Sequence, residues 1–335
     1  MFEMPAEFDK LPKVQLGFFP TPIEELTRLS DLLEGPRIFI KRDDLSGLAF
    51  GGNKVRKLEY LVGEALSRGA DTLVTAGAVQ SNHCRQTAAA AARSGLKCEL
   101  LLGGNEPEEP SGNYLLDRIL GAGVHFSDTG RKGEALEALA ESIRGSGGRP
   151  YVIPYGGSNA VGGVGFVAAM LELAEQTVAL GISPDRVVFP SSSGGTHAGL
   201  MVGAAISRFR GKLTGIRIDK EEDQRNASYR RFLTDLAADI AGRLHISGAW
   251  NESSVDLVED YLGGGYGIPG TLERDAIALL ARSEGILLDP VYTGRAMGGM
   301  LDLIRTGTIS SSETVLFWHT GGTPALFAYP PHAIL

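Results

Sequence analysis

Cysteine is almost missing from this chain of 335 residues: Cys84 and Cys98 stand alone and form no CxxC pair. That excludes a disulfide framework and a cysteine zinc cage, and fits two reduced, partly buried thiols. The six histidines show no HExxH or other metal-ligand spacing. Positive charge is also in short supply: 32 Lys and Arg face 40 Asp and Glu, for a formal net charge of −8, and no basic stripe offsets it. Nucleic acid is therefore not an expected partner. No apolar stretch approaches the ~18 residues of a membrane span. The start, MFEMPAEFDK, lacks the basic-then-apolar order of a signal peptide. These absences leave a cytoplasmic enzyme or binding protein with no membrane partner.

What the chain has in excess is glycine. It supplies 45 of 335 residues, about twice the ~7% average. Clusters fall at Gly51-Gly52, Gly156-Gly157, Gly194-Gly195, Gly263 to Gly265 and Gly321-Gly322. Glycine doublets turn the backbone with positive φ or let it approach a ligand closely. Several such loops point to a site built largely from main-chain groups.

Short apolar runs alternate with helical patterns. The runs predict strands at Ile38–Lys41, Thr72–Thr75, Glu99–Leu102, Tyr151–Ile153, Arg186–Phe189, Leu213–Ile218 and Thr314–Trp318. From Lys54 to Arg68, the residues Leu58, Leu61, Val62, Ala65 and Leu66 make a helical stripe closed by Gly69. Asn82 to Ser94 is alanine-rich and closed by Gly95. Such alternation predicts α/β architecture with mainly parallel sheets, whose ligands sit beyond the carboxyl ends of strands. The length suggests about two domains at ~150 residues each. Plausible crossings are Leu45 to Gly52 and the glycine-rich stretch Tyr155 to Gly165.

Four constellations can carry chemistry. In Gly51-Gly52-Asn53-Lys54, the lysine follows a glycine turn and opens a helix, whose positive end disfavours an ammonium. That lowers a lysine's pKa and suits a Schiff-base amine. Spacing alone favours a surface lysine beside Arg56 and Lys57. Ser81, Asn82 and His83 start the second helix directly after a strand, a place for plain capping or for a carboxylate or phosphate. Ser191 to His197, with Ser193, Gly194, Gly195 and Thr196, follows the strand at Arg186 and reads as a phosphate cup. It is neither a Walker A loop nor GxGxxG, so a small phosphorylated cofactor fits better than a nucleotide triphosphate. Near the C-terminus, DPVYTG with Tyr292 and HTGGT after a strand combine hydroxyls with glycine turns. Tyr292 reads as an acid/base or as a packed tyrosine.

Taken in order, GGNKVRKLE, GAVQSNHCRQTAAAAA, SGGTHAGL, GYGIP, DPVYTG and HTGGTPALFAY resemble the D-cysteine desulfhydrase and aminocyclopropane-carboxylate deaminase family of pyridoxal-phosphate enzymes, fold type II. The likeness runs from Thr21-Pro22 through IKRDD at Ile40–Asp44 to PALFAY. It implies a two-domain fold like that of the tryptophan synthase β chain, with open, twisted, mainly parallel sheets flanked by helices. Residues 1–48 and 162–335 would form the larger cofactor-binding domain and 49–161 a smaller α/β domain. The same likeness implies pyridoxal 5'-phosphate as cofactor, a small amino acid as substrate and a homodimer.

By that resemblance, Lys54 joins the cofactor's aldehyde, with Asn53 beside it. Asn82 bonds the ring 3-oxygen. Ser81, Asn82 and His83 receive the substrate carboxylate, and Ser193 to Thr196 hold the phosphate. Tyr292 and Tyr266 line the substrate side, and Thr293 faces the pyridine nitrogen. VYTG, SNH and Thr320 match the desulfhydrases, where the deaminases carry VYEG, SNQ and leucine. A hydroxyl leaves the ring a weaker electron sink than a carboxylate would, and β-elimination tolerates that. The implied activity is β-elimination, D-cysteine giving pyruvate, sulfide and ammonia. L-cysteate sulfo-lyase and aminocyclopropane-carboxylate deaminase are the neighbouring alternatives, with Arg217 or Lys220 of RIDKEEDQRNA as candidate sulfonate partners. A non-catalytic phosphate-ligand binding protein is the alternative of another class.

Overall fold

The computed structural model describes residues 7–128, 130–219 and 228–335. Its strands are β1 (Ile23–Glu25), β2 (Arg37–Arg42), β3 (Thr72–Ala78), β4 (Lys97–Gly103), β5 (Gly123–Ser127), β6 (Pro150–Val152), β7 (Arg186–Ser191), β8 (Lys212–Arg217), β9 (Leu257–Val258) and β10 (Thr314–His319). Its helices are α1 (Thr27–Leu33), α2 (Lys54–Ser67), α3 (Asn82–Arg93), α4 (Gly112–Ile119), α5 (Leu136–Gly145), α6 (Ala160–Leu180), α7 (Gly195–Ser207), α8 (Tyr229–Arg243), α9 (Thr271–Glu284), α10 (Thr293–Arg305) and α11 (Pro331–Ile334).

The strands form two sheets. One runs β1-β2-β10-β7-β8-β9 and the other β5-β4-β3-β6. Every pairing is parallel except that of β1 with β2. The apolar, β-branched runs of β2, β3, β7 and β10 are buried on both faces, as parallel strands covered by helices must be. Three strands escape the sequence patterns. β1 (IEE) is a short acidic edge, β9 has two residues, and β5 (GVHFS) is half-buried without strict alternation.

α6 corrects one expectation. By length and composition it could cross a membrane, with a mean hydropathy of 1.3 over its apolar window. It is instead a core helix: Val164, Phe166, Val167, Ala169, Met170 and Leu173 are fully buried. Asn159 caps its start, accepting from Gly162 N (2.9 Å), and Gly181 ends it in the left-handed region.

An ion cluster fixes where α2 begins. Arg56 Nε and Nη2 donate to Asp43 Oδ2 and Oδ1 (2.9 and 2.8 Å), and Nη1 donates to Glu172 Oε2 (2.9 Å). Thr21 donates to Asp43 Oδ1 (2.9 Å), and Lys41 bonds Glu172. Burial opposes the charge on Asp43, yet the guanidinium of Arg56 keeps its carboxyl below the usual range. The conspicuous IKRDD and KVRK runs therefore anchor α2 to β2 and α6.

Candidate active site

The carboxyl ends of β3 and β7 and the starts of α2, α3 and α7 surround one cavity. Its walls include Asn53, Lys54, Ser81, Asn82, His83, Tyr155, Ser193, Gly194, Thr196, Tyr292 and Thr320.

Lys54 sits where two glycine turns abut. A Cβ on Gly321 would stand 2.7 Å from Gly52 Cα, so the backbones touch directly. Asn53 N–H donates to Thr320 O (2.9 Å), locking the turns together. Lys54 Nζ donates to Asn53 Oδ1 (2.9 Å), and Asn53 Nδ2 donates to Thr196 Oγ1 (3.1 Å). The amine meets solvent through the cavity but is enclosed by protein, which lowers its pKa to about 8. Asp289 opposes that shift and Arg85 adds to it. Enclosure, rather than the helix end, is the main cause.

The Ser193–Thr196 loop is a cup with a buried ammonium behind it. Lys57 Nζ donates to Gly156 O (3.0 Å) and Ser158 Oγ (3.1 Å). Ser158 Oγ donates to Ser193 Oγ (2.8 Å) and accepts from Gly195 N–H (3.0 Å). A Cβ on Gly195 would lie 2.8 Å from Lys57 Nζ. No carboxylate pairs with Lys57 among the described residues. Burial and the charge of Lys54 hold its pKa well below the lysine range. A phosphate in the cup would supply the missing negative charge.

Ser81 caps α3, accepting from Cys84 N–H (3.2 Å). The first N–H groups of the helix have no intrahelical acceptor and face the cavity end of β3. His83 has a fixed tautomer. Thr75 donates its hydroxyl hydrogen to Ile153 O (2.8 Å), so it can only accept from His83 Nε2 (2.9 Å). Nδ1 is then a buried acceptor without a hydrogen-bond partner. Burial, helped by Lys54 and Lys57, keeps this ring neutral. Its side chain has no hydrogen left for a carboxylate, which corrects that part of the expectation for His83 and leaves its backbone N–H.

Tyr292 reaches the cavity, and its hydroxyl shares a hydrogen bond with Tyr266 (2.6 Å). Burial first, then each ring's neighbouring tyrosines, push both phenols well above their usual pKa. Arg131 lies 3.7 Å over the Tyr266 ring and donates to Tyr155 and to Asp219 Oδ2. Tyr266 and Thr293 stand one layer behind the wall. Thr293 Oγ1 donates to Asp289 Oδ1 (2.7 Å) and accepts from Asp289 N–H (2.8 Å). Asp289 thus orients its hydroxyl, and of the two threonines Thr320 lines the cavity. Arg217 donates to Asp219 O (2.7 Å) and stacks on Tyr229, away from the wall; Lys220 lies outside the described residues.

Sequence reasoning missed Lys57, Ser158 and Tyr155. Lys57 had a signal: three residues from Lys54 on a helix places it on the same face. Ser158 and Tyr155 lie in a stretch read only as a crossing between domains.

An enclosed amine, an anion cup and a polar wall define an enzyme that binds a phosphorylated aldehyde. The chain belongs to the pyridoxal-phosphate dependent enzyme family, which matches residues 14–321. It is 45% identical over 329 residues to a D-cysteine desulfhydrase of Salmonella choleraesuis, covering 96% of this chain and 98% of that one. The solved structure of an ACC deaminase homologue is similar, with a TM-score of 0.88, 39% identity, and 97% and 96% of the two chains covered. A threonine deaminase isoform of Solanum lycopersicum shares the fold at 18% identity and a TM-score of 0.65, over 95% and 83% of the chains.

Proposed function

We propose that this pyridoxal-phosphate enzyme is a carbon–sulfur lyase that eliminates the β-substituent of D-cysteine. The observation that carries the reading is the enclosed amine of Lys54, set between the Asn53 amide and a cup backed by Lys57. The 45% identity to a D-cysteine desulfhydrase over nearly the whole chain supports the substrate. Lys54 would hold the aldehyde, Ser193 to Thr196 with Lys57 the phosphate, and Asn82 the ring 3-oxygen. The cofactor, when bound, supplies an aldehyde for the amine and a ring that takes up the electron pair from Cα.

The protein's own groups do the rest. Ser81 and the N–H groups of Asn82 and His83 hold the substrate carboxylate at the start of α3. Lys54, as a neutral amine, takes the Cα proton. The Cβ–S bond breaks with its electron pair going to sulfur, and hydrosulfide leaves. The released enamine takes up water to give pyruvate and ammonia. Tyr292, protonated and held by Tyr266, is placed to donate toward the leaving group. Lys54 is the sole cation among the described residues of the wall, which favours an uncharged thiol over a sulfonate. Residues 49–161 around the β3 sheet would form a smaller domain. Exposed Phe50, Ile119 and Phe327 are apolar surface suited to a homodimer, working in the cytoplasm without a membrane partner.

Lys54→Ala should abolish the visible band of the purified enzyme and pyruvate release together; a variant keeping both refutes the assignment. A panel of D- and L-cysteine, L-cysteate, β-chloroalanine and aminocyclopropane carboxylate should give pyruvate fastest from D-cysteine. Faster release from cysteate would favour the sulfo-lyase. A colourless protein with no turnover would favour a binding protein.

A further inference from the structure

Behind Asn82 lies a chain of side chains whose hydrogen-bond polarity is forced from both ends. Arg85 on α3 is fully buried and can only donate. Its Nη1 donates to Asn113 Oδ1 (2.9 Å), and its Nη2 to Gly51 O (2.7 Å) in the turn leading to Lys54. The other end of the Asn113 amide meets a carbonyl, which can only accept: Nδ2 donates to Gln80 O (3.0 Å). Gln80 is itself pinned, its Oε1 accepting from Asn113 N–H (2.8 Å) and its Nε2 donating to Ser111 O (3.1 Å).

The second hydrogen of Asn113 Nδ2 is directed at the Asn82 amide, 2.9 Å away, and must meet an oxygen there. That atom is Oδ1. The NH2 group of Asn82 therefore faces the opposite way, toward Gly322, where a Cβ would stand 2.8 Å from Nδ2. An asparagine amide is otherwise free to present either end. Here the choice is made through Asn113, by the guanidinium of Arg85 and the carbonyl of Gln80.

We infer that Asn113 is a positioning residue: backed by Arg85, it fixes Asn82 as a hydrogen-bond donor toward the cavity and so sets the polarity met by the cofactor's ring 3-oxygen. The inference rests on the assignment of Asn82 under the proposed function. Arg85 also holds Gly51, so the donor and the turn that carries Lys54 share one anchor. A donor favours the ionised form of that oxygen. The charged and titratable groups nearby are Lys54, His83, Arg85, Asp117 and Asp289.

The test is a pH titration of the visible band of the holoenzyme without substrate. Asn113→Asp keeps an acceptor for Arg85 but offers oxygen to Asn82, turning its Oδ1 to the cavity. The band's pH midpoint should rise by about one unit, the scale of one charge-assisted hydrogen bond. Asn113→Ala should move it the same way by less, and should lower the melting temperature because the buried Arg85 Nη1 loses its acceptor. On an Asn82→Ala background, Asn113→Asp should add nothing, because its effect passes through Asn82. A midpoint unmoved in both Asn113 variants, or an equal shift without the Asn82 amide, overturns the inference. A wild-type protein with no such band overturns it together with the reading beneath it, whereas a band that ignores Asn113 overturns the inference alone.

Discussion

A lysine amine serves as a nucleophile near neutral pH only if its surroundings disfavour the ammonium. Around Lys54 the main influence is enclosure, with Arg85 adding to it and Asp289 opposing, for a pKa of about 8. The consequence is kinetic. When pyridoxal phosphate is mixed with cofactor-free protein, the rate of colour formation should rise with pH as the amine loses its proton. It should level off above about 8, not climb on toward the ordinary value of 10.5. Stopped-flow absorbance reads this directly; a rate still climbing beyond about 9 would mean an ordinary surface lysine. Lys54 was legible through the family resemblance of GGNKVRKLE, because a glycine turn meeting a helix start reads by itself more readily as a surface lysine. Lys57 was passed over because it looked like one of several basic residues in a helix. Asn113 gave no signal, since its partners Gln80, Asn82 and Arg85 lie about thirty positions earlier and only the fold joins them. The tautomer of His83 was equally hidden, because it depends on where Thr75 sends its one hydrogen.

At the scale of elements, strands buried on both faces announce themselves as continuous apolar runs. That is why β2, β3, β7 and β10 were legible; β4, β6 and β8, which are partly exposed, showed as short apolar runs, and the polar or two-residue strands did not show. The functional loops were legible as glycine clusters, but their docking was not. The ion cluster of Arg56, Asp43, Glu172 and Lys41 joins α2 to β2 and α6, and Glu172 lies 116 and 131 positions from Arg56 and Lys41. Arg56→Ala would leave Asp43 buried and without its main counter-charge. Breaking such a pair from one side costs about 3–5 kcal/mol. Urea titration should show the midpoint falling at unchanged slope. The visible band should weaken too, since the helix start that carries Lys54 loses its anchor. A loss under about 1 kcal/mol would mean that water replaces the guanidinium.

For the whole molecule, cofactor binding and stability are one equilibrium. Lys57 is a fully buried amine without a carboxylate among the described residues, so the cofactor-free fold disfavours its charged form and a bound phosphate would offset that cost. Lys57→Met removes the charge and nearly preserves the volume. It should therefore raise the melting temperature of cofactor-free protein while reducing the rise that pyridoxal phosphate brings. A ligand at 100 times its Kd stabilises by about 2.7 kcal/mol. In a molecule of this size each kcal/mol is worth roughly 2–4 °C. Melting curves over a series of cofactor concentrations should thus converge for the variant and spread for the wild type. Lys54→Ala separates the two kinds of grip: it loses the covalent link but keeps the cup, so its curves should still spread, at higher concentrations. If Lys57→Met lowers the melting temperature without cofactor and leaves the spread intact, the ammonium is satisfied by the loop carbonyl and serine alone. The phosphate would then be held by main-chain N–H groups without it.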